Sequence, residues 1–114
     1  MKPDAGVLRE KVAFDKPTQA PDGSGGTESG WSETLACRAH FHWLRGGESV
    51  MASRLTGKQP VVVTIRASQL AKSITTGYRM RDRRTGEIYN VRAAHLMQDS
   101  RQWIEVLCES GVAT

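Results

Sequence analysis

Thr34-Leu35-Ala36-Cys37-Arg38-Ala39-His40-Phe41-His42-Trp43 alternates without a break. Leu35, Cys37, Ala39, Phe41 and Trp43 fall on one parity; Thr34, Ala36, Arg38, His40 and His42 fall on the other. Successive side chains of an extended chain point to opposite faces, so the first set is expected against a core and the second on an accessible face. A helix of the same composition would scatter both sets around its circumference. This stretch makes the protein a β protein.

Working outward, the same period recurs. Leu8, Val12 and Phe14 share one side and Arg9, Lys11 and Asp15 the other, which predicts a first strand. Downstream, Pro60 leads into Val61-Val62-Val63-Thr64-Ile65-Arg66-Ala67, a β-branched run that reads as a strand. Residues 78–82 and 87–91 flank Arg83-Arg84-Thr85-Gly86, a hairpin in which Gly86 is expected to take the left-handed conformation of a tight turn. Residues 100–102 turn the chain into a last strand over 103–109.

Between these runs lie two stretches without period. Residues 16–30 hold Pro17, Pro21 and four glycines with almost nothing apolar, and read as a long loop. Residues 45–59 open on Gly46-Gly47-Glu48 and place Val50, Met51 and Leu55 at helical spacing before Gly57. They read as a long connection carrying one short helix. Residues 68–76 read as a polar turn and 110–114 as a fraying tail. The expectation is one all-β domain over residues 1–114, a small antiparallel barrel or sandwich of about six strands with a single short helix.

Length and charge bound the function. A chain of 114 residues buries only a small core. The net charge is +4, and eight basic residues against three acids lie between Arg66 and Arg101. Such a second half suits a polyanion, although an ordinary solvated surface needs no more than scattered charge. No apolar run reaches the roughly 18 residues that cross a bilayer, and residues 1–4 lack the apolar core of a signal peptide, so no membrane partner is expected. Cys37 and Cys108 are expected to stay reduced, as small hydrophobes in a bacterial cytosol.

Chemistry is scarce. His40 and His42 project from one strand face, but Cys37 has the opposite parity and no second ligand pair completes a tetrahedral metal set. No nucleophile elbow or phosphate loop occurs, and Gly23-Ser24-Gly25-Gly26 lacks the lysine of a P-loop. No catalytic residues, metal or cofactor are expected. Arg79, Arg81 and Arg83 share a strand face, with Arg84 at the hairpin tip. They are the candidates for contact with DNA phosphates; a solvated face, or salt bridges to a neighbouring subunit, is the plain alternative. Trp31, Trp43 and Trp103 are expected in the core or in a subunit contact.

Taken in order, the first strand with its Ala5-Gly6-Val7-Leu8-Arg9-Glu10-Lys11-Val12 lead, the Asp22-Gly23-Ser24-Gly25-Gly26 stretch, Trp31, Gly46-Gly47-Glu48, Val63-Thr64-Ile65-Arg66 and Trp103-Ile104-Glu105-Val106-Leu107-Cys108-Glu109 resemble the small head–tail joining (head-completion, or stopper) proteins of tailed bacteriophages. In relatives one glycine often stands before the glutamate, where this chain has two. The resemblance implies a β-barrel that works in the virion, at the head–tail connector, after assembly in the bacterial cytoplasm. It implies a ring, commonly six-fold, that closes the DNA-filled head beneath the portal and its adaptor ring and offers a surface to a tail terminator or tail-tube protein. It further implies that Gly46, Gly47, Glu48, Val50, Met51 and Leu55 form a loop contacting partners or the channel, with packaged double-stranded DNA met without sequence specificity. A stand-alone nucleic-acid-binding barrel with an OB-like surface is the alternative.

Overall fold

The computed structural model describes residues 8–44, 59–97 and 101–110. Six strands follow in chain order: β1 (Glu10–Pro21), β2 (Thr27–Trp43), β3 (Gln59–Arg66), β4 (Arg79–Asp82), β5 (Ile88–Leu96) and β6 (Trp103–Ser110). One short helix, α1 (Gln69–Lys72), sits between β3 and β4. All pairs are antiparallel, and the order β1-β2-β3-β6-β5-β4 closes on itself when Val12–Asp15 of β1 pair with Asp82–Arg79 of β4. The expected barrel is therefore a closed one.

The alternation read from sequence fills its centre. Val12, Phe14, Ala39, Val61, Val63, Ile65, Met80, Val106 and Cys108 are fully buried, with Leu35, Cys37 and Phe41 packed against them. Closure removes most sheet edges, and burial of these side chains supplies the main stabilising term for so small a barrel. Gly86 has φ +81°, as its turn requires, and donates to the Asp82 carbonyl at 2.8 Å. The buried Asp82 carboxylate caps the same turn by accepting from the amides of Arg84 and Thr85.

Three expectations are corrected. The stretch 16–30 is not a loop: β1 and β2 continue as paired strands to Pro21 and from Thr27, leaving a turn of residues 22–26. Ladder hydrogen bonds need no apolar side chains, so a polar ribbon carries no hydrophobic period to be read. The turn itself was written in the sequence. The Asp22 carboxylate accepts from the amides of Ser24 at 2.7 Å and Gly26 at 3.1 Å, while Gly23 and Gly25 have φ +85° and +87°.

Secondly, the described helix lies in the stretch read as a polar turn. Ser68 caps it, accepting from the Ala71 amide at 3.0 Å, and Ala71 and Ile74 join the core. The helix expected within 45–59 falls almost wholly outside the described residues, as does the tail beyond Ser110. Thirdly, Asp15 was expected on the outer face with Arg9 and Lys11, yet it is 2% exposed. Its side is the expected one, since Phe14 pairs with core Met80 and Asp15 with Arg79, and the Arg79 and Arg81 side chains on that outer face cover it. The register shift beside it is a bulge that leaves the extra residue, Thr34, on β2.

Candidate functional site

The bulge divides the β1–β2 hairpin into two parts. Glu10–Phe14 and Leu35–Trp43 belong to the barrel wall. Beyond it, six residue pairs from Lys16↔Ser32 to Pro21↔Thr27 have no other ladder partner among the described residues, forming a two-stranded arm roughly 20 Å long. Nearly every arm residue is exposed. A lone hairpin of this kind is marginally stable in water, so its direction must be set at its root.

The root is a charge cluster across three strands. Arg79 of β4 donates from Nε to Asp15 Oδ2 at 2.8 Å. Arg81 donates from Nε to Asp15 Oδ2 at 2.7 Å and from Nη2 to Oδ1 at 3.1 Å, a two-point grip that fixes the carboxylate plane. The same Nη2 reaches Glu33 Oε1 of β2 at 2.9 Å. The Arg79 guanidinium lies 4.5 Å from the centre of the Trp31 ring, at the base of the arm's returning strand. Two cations thus answer two carboxylates.

Burial alone would raise the Asp15 pKa, but hydrogen bonds from Arg81 and Arg79 and their positive charges outweigh it and hold the carboxyl below its ordinary 3.8. The hydrogen bond to Asp15 in turn raises Arg81. The stripe expected to meet phosphate is therefore divided. Arg79 and Arg81 turn to Asp15 of their own chain. Arg84 reaches the Arg9 carbonyl and approaches Glu10 at 3.8 Å. Arg83 is exposed, its amide donating to the Lys11 carbonyl at 2.8 Å.

The opposite barrel mouth is aromatic. Phe41, Trp43 and Tyr89 form a triangle with ring centres 6.0–6.3 Å apart, and Trp43 remains 40% exposed. With Arg9, Glu10, His40, Asp82, Thr85 and Glu87 they line a concavity of about 410 Å³. Leu44 donates to the Pro60 carbonyl at this end, so the segment between β2 and β3 leaves and rejoins the barrel here. Gly46, Gly47, Glu48, Val50, Met51 and Leu55 lie outside the described residues. Trp103 is buried, with Arg66 at 5.4 Å over its ring.

Burial pushes the thiols of Cys37 and Cys108 up to about 11 and about 12, so neither is a ready nucleophile. Among the described residues no three His, Cys, Asp or Glu side chains are gathered to hold a metal. Sequence reasoning missed Asp15, Glu33 and the partnership of Trp31 with Arg79. The available signal was the Asp22-Gly23-Ser24-Gly25-Gly26 turn, with Pro17 to Pro21 on one side and Thr27 to Trp31 on the other.

Comparison with known proteins agrees with this architecture. A Shigella flexneri 2a protein with a solution structure superposes with a TM-score of 0.68 at 20% identity, over 97% of this chain and 99% of the other. A chain from the virion of a native gene transfer agent particle superposes with a TM-score of 0.65 at 17% identity, over 99% of this chain and all of the other. No curated protein matches. The profile of the phage head completion proteins matches residues 3–111, and the chain belongs to that family.

Proposed function

We propose that this protein is a structural, non-catalytic part of the head–tail connector of a tailed phage or phage-like particle. Six copies form a ring below the portal and its adaptor, close the DNA-filled head and present a docking surface to the tail terminator or tail tube. The observation that carries this reading is the family match over nearly the whole of a small closed barrel. A similar fold in a gene transfer agent virion supports the particle setting.

The barrel offers a rigid body with dissimilar ends, as a head-to-tail ring requires. One mouth carries the arm; the other carries the Phe41–Trp43–Tyr89 face and the arginine turn. DNA held in such a ring is met through phosphate alone. Arg83 and Arg84 serve that contact in this reading, because Arg79 and Arg81 are spent on Asp15. The segment with Gly46, Gly47, Glu48, Val50, Met51 and Leu55 narrows the channel or grips the neighbouring ring.

Native mass measurement and electron cryomicroscopy of purified particles test the assembly. Six copies at the head–tail junction, with a monomer or weak associate in free solution, is the expected result. A stable free dimer that persists in the particle overturns the ring. Arg83→Gln with Arg84→Gln should keep the melting temperature while filled heads leak DNA; unchanged retention removes the DNA contact from this reading.

A further inference from the structure

The arm exposes two strand edges with no further ladder partner among the described residues. Its two edges differ. Pro17 and Pro21 have the same parity on β1, so both missing amide donors fall on one side of that strand. Proline is tolerated at an outer edge, and there it blunts further pairing. The outer edge of β2 over Thr27–Ser32 contains no proline and has no ladder partner among the described residues.

A second open edge lies elsewhere on the same molecule. β4 pairs β5 only through Arg79↔Asn90, Met80↔Tyr89 and Arg81↔Ile88. From Ala93 to Leu96 β5 pairs with β6 alone, so its other side has no ladder partner among the described residues. This edge borders an apolar groove of about 220 Å³, lined by Ala71, Ile74, Ala94, Leu96 and Ile104 with Lys72 and His95 at its rim. Leu96 is 39% exposed.

We propose that the β2 edge of the arm adds as a strand to the open β5 edge of a second copy of this chain. The claim rests on the ring reading above and names its subunit contact. Three observations select the occupant. An open strand edge takes another strand, because only a strand satisfies its row of amides and carbonyls. Arm and groove are different surfaces of one chain, so the contact is heterologous and can propagate around a ring. Their charges lean opposite ways: the arm carries Asp22 and Glu28 against the single Lys16, while Lys72 lines the groove and Arg92 lies on the same strand, β5. The Asp15 cluster at the root then acts as a positioning device, aiming a ribbon too weak to aim itself.

Cross-linking with a short bismaleimide tests the contact. Full-length Ser29→Cys and Ala94→Cys proteins are mixed, each first shown to melt like the parent. The native thiols of half-buried Cys37 and buried Cys108, pushed to about 11 and about 12, stay slow. The mixture should yield covalent dimers at least about tenfold above a mixture of Ser29→Cys with Arg83→Cys, whose cysteine lies at the far mouth. A chain bearing both Ser29→Cys and Ala94→Cys should give a ladder in purified particles. Particles with an intact ring and no Ser29–Ala94 link overturn the arm contact and leave the ring standing. Absence of both ring and link overturns both; links that stop at pairs keep the contact and remove the ring.

Discussion

The two halves of the β1–β2 hairpin share one ladder and almost nothing else. In the barrel half, Val12 and Phe14 are fully buried, and both strands have a second neighbour, β4 or β3. In the arm half, the same strands continue with the same pairing, but their faces are in water and their outer edges have no ladder partner among the described residues. The β1–β2 ladder runs through both halves, so that ladder cannot be what separates scaffold from appendage. Packing is. The barrel half holds the fold; the arm half is left free to bind.

Substitutions in the two halves should differ in cost. Phe14→Ala should be the most damaging change, removing a fully buried ring from the barrel centre at a cost of roughly 3–5 kcal/mol in urea denaturation. Loss below about 1 kcal/mol would mean that the wall does not depend on its core.

At the boundary, Asp15→Asn leaves two arginines without their shared carboxylate. These side chains are 22% and 34% exposed, so water screens part of the loss and about 1–2 kcal/mol is expected at pH 7. The pH dependence has a definite sign. A carboxyl whose folded pKa is depressed stabilises the fold above its ordinary 3.8 and loses that contribution as the pH falls through the folded value. Stability of the parent should therefore drop more steeply than that of Asp15→Asn below about pH 4, and parallel curves would remove the cluster from the account.

Trp31→Ala should matter less globally, about 0.5–1 kcal/mol, because the ring's partner is the Arg79 guanidinium rather than the core. Its larger effect should be on the arm, seen as faster amide exchange in Thr27–Ser32 with the barrel unchanged. Least of all, Gln19→Ser on the exposed arm should fall within about 0.5 kcal/mol of the parent.

The same division decides what could be read from sequence. Strands with one face in the core announce themselves, as Leu35 to Trp43 and Val61 to Ile65 do. Gly86 was legible because its turn demands a left-handed residue. The arm was not, since Thr18, Gln19, Glu28 and Ser29 bury no side and so leave no period. Asp15 keeps the side that alternation gives it; what alternation does not show is that the arginines of β4 cover it there. Arg79 and Arg81 were correctly set on one face, but their partner came from a residue 64 to 66 positions away that a one-dimensional pattern cannot pair with them.

Amide hydrogen exchange compared between the free protein and the assembled particle tests the division of labour most directly. In the free protein the arm amides of Thr27–Ser32 should exchange about a hundredfold or more faster than those of Val12–Phe14. On assembly the arm should become protected while the barrel pattern stays as it was. Arm amides that exchange as fast in the particle as in free solution would contradict the account, because the arm would then be docking on nothing.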